Sequence, residues 1–220
     1  MPDEALKSSK RVLEPEERIS EVLFGLIMVL AITGSLSVAK AGRDDIRTML
    51  IGALGCNLAW GVIDGVLYLM GSLADKSRSL MCYRAVRQAA DPQQAQRLIA
   101  GALPPLVAAV LQPAELETMR QRLVQLPEPP SHARLAGRDW LGAFAVFVLV
   151  FLCVFPVAVP FIAVPKVALA MRISNAIAIA MLFITGFAYG RCIGRSPLAF
   201  GLVMVLLGGV LVALTIALGG

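Results

Sequence analysis

Five long apolar runs constrain the fold of this chain more than any other feature of its sequence. A helix of about 20 apolar residues crosses the hydrocarbon core of a bilayer, which is about 30 Å thick. Only 16% of the residues are charged, whereas a typical soluble domain has about 25%. We therefore predict an all-α, polytopic membrane protein with five transmembrane helices. The predicted spans are residues 19–39, 48–73, 139–160, 167–190 and 198–219.

The distribution of basic residues predicts the orientation of these spans. Fifteen Lys and Arg residues lie in the N-terminal tail, in the connection between spans two and three, and after span four, whereas five lie on the other side. Because cytoplasmic loops are enriched in Lys and Arg, we expect a cytoplasmic N-terminus and an external C-terminus. No small-residue cleavage site follows the first run, so we interpret it as a retained span. We expect a multi-pass protein of a bacterial inner membrane.

The connection between spans two and three is too long for a simple loop and is interrupted by prolines. Asp91 is a favourable N-cap and Pro92 suits the first helical position, so a helix should begin there. A second piece, PPLVAAVL, follows, and a third, PAELETMRQRLVQL, has apolar residues on one face at 116, 119, 123 and 126. We therefore predict a small helical cytoplasmic insert. The predicted parts of the chain are the N-terminal tail (1–18), spans one and two (19–73), the insert (74–138) and spans three to five (139–220).

The second span carries two polar residues, Asn57 and Asp64, in otherwise apolar surroundings. Inserting a carboxylate at that depth costs about 3 kcal/mol or more, and such a residue usually serves a function. Helical spacing places Gly61 and Tyr68 on the same face, which suits the lining of a hydrophilic path. Gly61 and Gly65 form a G-x-x-x-G pair, typical of close helix packing. The alternative is that Asn57 and Asp64 only hydrogen-bond neighbouring helices, and for Asn57 both interpretations remain open.

The first span offers Glu21 and, two turns further along the same face, Met28. A carboxylate supplies hard oxygen ligands, and a thioether is a soft ligand that suits transition metals. Glu21 would also suit the helix N-terminus electrostatically, and a methionine in an apolar helix usually packs. The four cysteines form no CxxC pair, so neither a zinc site nor a disulfide framework is indicated. No nucleophile–base pair or hydrolytic metal motif occurs, so we do not expect an enzyme, and we expect no tightly bound cofactor.

Two parts of the sequence resemble a known family. ERISEVLFGLIMVLAITGSLS and GALGCNLAWGVIDG resemble the start of the vacuolar iron transporter family, and SNAIAIAMLFITGFAYGR is similar to part of its end. The resemblance covers roughly residues 18–78 and 139–220. It implies a homodimer that exports ferrous iron or a related divalent metal in exchange for protons, with the ion path at the protomer interface.

The resemblance also implies positions for the ligands. The carboxylate near the start of the family's first span falls on Glu21. In the second span, the family's carboxylate position holds Asn57 and its methionine position holds Gly65, next to Asp64. The expected metal ligands are Glu21, Asp64, Asn57 and Met28, the expected proton carriers are Glu21 and Asp64, and the expected path-lining residues are Gly61, Gly65 and Tyr68.

We therefore expect a proton-coupled exporter of a divalent metal, iron or manganese. The family's insert often carries metal-binding glutamates and methionines, whereas this one has few acids and seven arginines after Arg78, so we expect no glutamate-built metal store. One alternative is a non-transporting membrane scaffold or regulator whose basic insert binds a protein or anionic lipid. Another is a transporter of a different solute. The net charge of +5 follows from membrane topology, so no nucleic-acid partner is expected.

Overall fold

The structure is a computed structural model that describes residues 13, 15–34, 43–128 and 130–217, and the described part is all-α. For residues 15–18, and for a few others near the ends of the first and last helices, the structure describes the backbone only. The helices are α1 (Pro15–Gly34), α2 (Arg43–Gln88), α3 (Pro92–Ala102), α4 (Pro105–Val110), α5 (Pro113–Gln125), α6 (Gly137–Leu152), α7 (Val154–Ala163), α8 (Val167–Cys192) and α9 (Pro197–Ala217).

Three helical segments of the described chain are long and apolar enough to cross a membrane. They contain the predicted second, third and fourth spans, so the prediction of an integral, multi-pass membrane protein is confirmed at this level. The segments are Asp44–Gln88, Gly137–Ala163 and Val167–Cys192.

The first and last predicted spans fall on α1 and α9. Their apolar stretches with described side chains are shorter, Ile19–Met28 and Pro197–Leu211. Residues 35–39 of the first predicted span and 218–219 of the last lie outside the described residues. That α1 and α9 also cross the membrane therefore remains a prediction.

Helix α2 continues well past the predicted end of the second span at residue 73. Its 46 residues run from Arg43 to Gln88, which corresponds to about 69 Å at 1.5 Å per residue. This is more than twice the thickness of the hydrocarbon core. The charges at its ends match the helix dipole, because Asp44 and Asp45 lie in the first turn and Arg87 lies in the last.

The chain divides into two compact units. The first comprises Met1–Tyr68 together with Arg138–Gly220, and the second comprises Leu69–Gly137. Helix α2 therefore contributes to both units, and the second begins within this helix rather than in a loop after it.

The core of the first unit forms where α1, α7 and α8 pack together. Leu26, Val157 and Leu182, one from each helix, are 0% exposed. The hydroxyl of Ser174 in α8 donates a hydrogen bond of 2.7 Å to the carbonyl oxygen of Val157 in α7. Helices α8 and α9 are joined by a turn in which Gly194 has a φ of 67°, a left-handed conformation that glycine adopts without strain.

The predicted third span is helical but is interrupted at Cys153, between α6 and α7. Proline has no N–H, so Pro156 cannot donate the helical hydrogen bond to the carbonyl oxygen of Leu152. The helix α6 ends at that residue. At the interruption, the thiol of Cys153 donates to the carbonyl oxygen of Val150, at 2.9 Å.

The second unit has its own small core, formed by α2, α3 and α5. Val86, Ala95 and Ile99 are buried there, and apolar residues of α5 pack against them. The predicted helix start is confirmed, since the Asp91 side chain accepts a hydrogen bond from the backbone N–H of Gln93 and Pro92 is the first helical residue. The three predicted helical pieces of the insert are confirmed as α3, α4 and α5.

One residue predicted for the apolar face of the third piece lies elsewhere. Leu116, Met119 and Leu123 pack against the small core as predicted. Leu126 is 52% exposed, because α5 ends at Gln125 and the helical spacing does not extend beyond it.

Candidate functional site

Two of the predicted ligands lie at one cavity in the first unit. Glu21, in the second turn of α1, and Asp64, from α2, line a cavity of about 400 Å³. Four helices contribute to it, since α6 supplies Val146 and α8 supplies Tyr189. The other lining residues are Ser20, Leu67 and Tyr68.

The polar groups of this cavity are all oxygen donors to a cation. They comprise the two carboxylates and the hydroxyl groups of Ser20, Tyr68 and Tyr189. Carboxylate oxygens are preferred by hard divalent cations such as Mg²⁺, Ca²⁺ and Mn²⁺. The arrangement is therefore suited to holding a hydrated or partly dehydrated cation, or a proton.

The carboxylate of Asp64 has an unsatisfied atom. Its Oδ2 atom is buried and has no hydrogen-bond partner among the described residues. Nearly all buried polar atoms in proteins have a partner, so each exception requires an explanation. The missing hydrogen-bond partner of this oxygen is explained if a proton or a cation binds to it from the cavity.

The two glycines that are expected to line the path, Gly61 and Gly65, lie close to α6. A Cβ atom added at Gly61 would lie 3.1 Å from the carbonyl oxygen of Phe147, and one added at Gly65 would lie 3.1 Å from that of Ala143. These distances confirm the close helix packing predicted from the G-x-x-x-G pair. Neither glycine is among the described residues that line the Asp64 cavity.

The same helix pair holds Tyr68 at the cavity. A Cβ atom added at Gly142 of α6 would lie 2.4 Å from the Tyr68 hydroxyl oxygen. The absence of a side chain at Gly142 therefore leaves the space that the Tyr68 ring occupies. Tyr68 and Tyr189 place two phenol groups beside the carboxylates, and sequence reasoning missed the second. Its only signal was a polar residue near the end of an apolar span.

Asn57 lies apart from the cavity and is engaged in packing. It is 0% exposed, and its Nδ2 atom donates to the carbonyl oxygen of Val150 at 3.2 Å. The sulfur of Cys153 lies 3.8 Å from the same nitrogen. The amide of Asn57 therefore binds α2 to the interruption between α6 and α7, which supports the packing interpretation of this residue.

The structure brings together only part of the expected ligand set. Met28 is partly buried in α1 and, like Asn57, is not among the described residues that line the cavity. Within the described chain, no three His, Cys, Asp or Glu side chains form a group that could hold a metal ion. The described chain thus supplies two carboxylates to the cavity, Glu21 and Asp64.

Comparison with known proteins provides no family for this chain. No known family model matches it, and no curated protein matches it either. The resemblance to the vacuolar iron transporters therefore remains a prediction from the quoted residues, and the function has to be inferred from the chain's own chemistry.

Proposed function

We propose that this protein is a homodimeric, proton-coupled transporter that exports a divalent metal ion, iron or manganese, from the cytoplasm. One observation carries the proposal: Glu21 and Asp64, from different apolar helices, line the same cavity. Carboxylates within membrane helices are energetically costly and typically mark ion pathways. A divalent cation that binds between two carboxylates offsets that cost.

The proposed coupling follows from competition for the same oxygen atoms. A carboxylate must lose its proton before it can coordinate a metal ion, so metal binding releases protons. Protons that reach Glu21 and Asp64 from the other side of the membrane displace the metal in turn. The hydroxyl groups of Ser20, Tyr68 and Tyr189 supply neutral oxygens around the two carboxylates.

The composition of the cavity supports the choice of metal, and the resemblance implies the dimer. Hard divalent cations take six or more oxygen ligands, and one protomer offers two carboxylates and three hydroxyl groups. A second copy adds another Glu21 and Asp64 around the path. Because the lining contains oxygen donors and Met28 lies elsewhere, manganese should be preferred to softer ions.

Metal flux into proteoliposomes under an imposed pH gradient tests the proposal. Manganese, iron, cobalt and zinc would be offered to the parent and to the variants Glu21→Gln and Asp64→Asn. We expect proton-dependent flux in the parent and a loss of about tenfold or more in each variant, because a neutral amide cannot exchange a proton for a cation. Asp44→Asn removes the same charge from an exposed position of α2 and should leave the flux unchanged.

Two results would contradict the proposal. One is a folded, dimeric parent that moves none of the four metals, and the other is normal flux in both cavity variants. The first result would favour the second candidate function, a membrane scaffold or regulator that acts through its basic insert. That candidate is supported by two arginines, Arg84 and Arg87, that line a cavity of the second unit.

A further inference from the structure

The proline-rich segment, defined here as residues 126–128 and 130–134, is held against the end of α2 by hydrogen bonds from three α2 side chains. The Tyr83 hydroxyl donates to the carbonyl oxygen of Pro127 at 2.7 Å. Nη1 of Arg87 donates to the carbonyl oxygen of Leu126 at 2.6 Å, and Nη2 of Arg84 donates to that of Pro130. These bonds fix both guanidinium groups in place.

Two cavities lie between α2 and the proline-rich segment, and Ser131 lines both. The first, of about 640 Å³, is lined by Lys76, His132 and Arg134 among others. The second, of about 770 Å³, is lined by Arg84, Arg87, Gln88, Glu128 and Ser131. Among the charged residues that line this pair of cavities, basic ones therefore predominate, and Glu128 is the one acid in the described lining.

The charges of these arginines are not neutralised within the described part of the chain. No carboxylate there forms an ion pair with Arg84, Arg87 or Arg134, whereas Arg78 and Arg120 each have an acidic partner. A guanidinium group has five N–H donors. The described hydrogen bonds of Arg87 use only Nη1, and that of Arg84 uses only Nη2. Each group keeps further donors for an anion.

We propose that this pair of cavities is a binding site for a phosphate group. Arginine forks match the geometry of phosphate oxygens and bind them through paired hydrogen bonds. The hydroxyl group of Ser131 adds a neutral hydrogen-bonding group to the walls of both cavities. The volumes exceed that of a phosphate ion alone, so the group should be part of a larger molecule. That molecule is either an anionic lipid, through its headgroup, or a soluble phosphate ester.

The test measures phosphate binding to the full-length protein in a neutral detergent. Inorganic pyrophosphate, titrated calorimetrically, represents the soluble source. Dioleoyl phosphatidic acid, with phosphatidylcholine as the neutral reference, represents the lipid source, and retention of each lipid is read by native mass spectrometry. Arg84→Gln with Arg87→Gln should weaken binding of the recognised probe about tenfold or more, as expected when charge-assisted hydrogen bonds are lost.

Three further variants separate a site from general charge and from folding. Arg97→Gln with Arg122→Gln removes the same charge from exposed positions outside both cavities and should leave affinity within about twofold. Arg134→Gln should weaken binding severalfold without removing a described hydrogen bond to the proline-rich segment. Glu128→Gln should strengthen binding severalfold, since it removes a like charge from the cavity wall.

The two probes distinguish a soluble phosphate ester from a lipid headgroup, and the variants test whether the pair of cavities is the binding site. Binding of pyrophosphate alone indicates a soluble phosphate ester, and selective retention of phosphatidic acid indicates a lipid headgroup. The proposal is overturned if neither probe binds the parent, or if the Arg97 and Arg122 control loses as much affinity as the cavity pair. If the Arg84 and Arg87 variant misfolds, the other two variants decide the outcome. Weaker binding in Arg134→Gln together with stronger binding in Glu128→Gln supports the proposal, and any other pattern overturns it.

Discussion

At the scale of single residues, Asn57 and Asp64 show how two polar groups on one helix come to have different surroundings. Both interrupt the same apolar span, two turns apart. The Asn57 amide is fully buried and donates to the carbonyl oxygen of Val150. The Asp64 carboxylate lines a cavity and has a buried oxygen with no hydrogen-bond partner in the described part of the chain. The helical spacing that places them on one face cannot distinguish these roles.

Replacing Asn57 with alanine should destabilise the protein by about 1–3 kcal/mol. The change removes the hydrogen bond to Val150 and leaves space beside Cys153. The measurement is unfolding of the detergent-solubilised protein, with Leu58→Ala as the control because Leu58 is its 47%-exposed neighbour. Unchanged stability with abolished metal flux would instead assign Asn57 to the ion path.

At the scale of helices, two contacts determine the geometry of the units. In the first unit, Gly61 and Gly65 let α2 approach the backbone of α6, which places Tyr68 beside Gly142 at the cavity. In the second unit, Gln96 of α3 donates to the Glu117 carboxylate of α5 at 3.0 Å. The first contact joins two helices by close backbone approach, and the second joins two helices by a side-chain hydrogen bond.

Substituting valine for Gly61 should separate α2 from α6 and lower the free energy of unfolding. The first added carbon would lie 3.1 Å from a backbone oxygen, and overpacking of this kind costs about 1–3 kcal/mol. Gly55→Val is the matched control, since it places the same side chain on the same helix where nothing lies within 4 Å. Equal melting temperatures of the two variants would contradict the packing assigned to Gly61.

The Glu117 carboxylate should make the contact between α3 and α5 depend on pH. Hydrogen bonds from Arg120, Gln96 and Gln121 lower the pKa of Glu117 from 4.5 to about 2. A group whose pKa is lower in the folded state stabilises it above the unfolded pKa. This contribution should therefore be complete above pH 4.5 and decline as the pH falls towards about 2.

Hydrogen exchange of the α3 and α5 amides in the full chain measures this effect. The parent and Glu117→Gln would be compared at the same pH, so that intrinsic exchange rates cancel. The variant should exchange faster at pH 6, and the difference should shrink at pH 3. Glu128→Gln removes one charge from the same unit without removing a described hydrogen bond and serves as the control. A difference between the parent and Glu117→Gln that is independent of pH would contradict the role of the ionised carboxylate.

At the scale of the whole molecule, the described structure contains three helical segments long enough to cross a bilayer. The basic residues predict that the N-terminal tail and the 74–138 insert lie on the same side of the membrane. That prediction requires α1 to cross, because α2 begins on the opposite side.

Epitope tags in oriented vesicles test this topology. One tag would be placed at the N-terminus, one at the exposed Pro104 between α3 and α4, and one at the C-terminus. If all five predicted spans cross, the first two tags should be accessible from the cytoplasmic side and the third from the other. An N-terminal tag on the opposite side from the insert would show that α1 does not cross.

Sequence alone was sufficient for properties that depend on neighbours within a few residues along the chain. Apolar runs predicted the long membrane helices, and Asp91 with Pro92 predicted the start of α3, because hydropathy and capping act within one or two helical turns. Only the tertiary structure decided that Glu21 and Asp64 share a cavity and that Asn57 binds the carbonyl oxygen of Val150. The two residues of each pair lie 43 and 93 residues apart in the sequence, and packing between helices brings them to the same place.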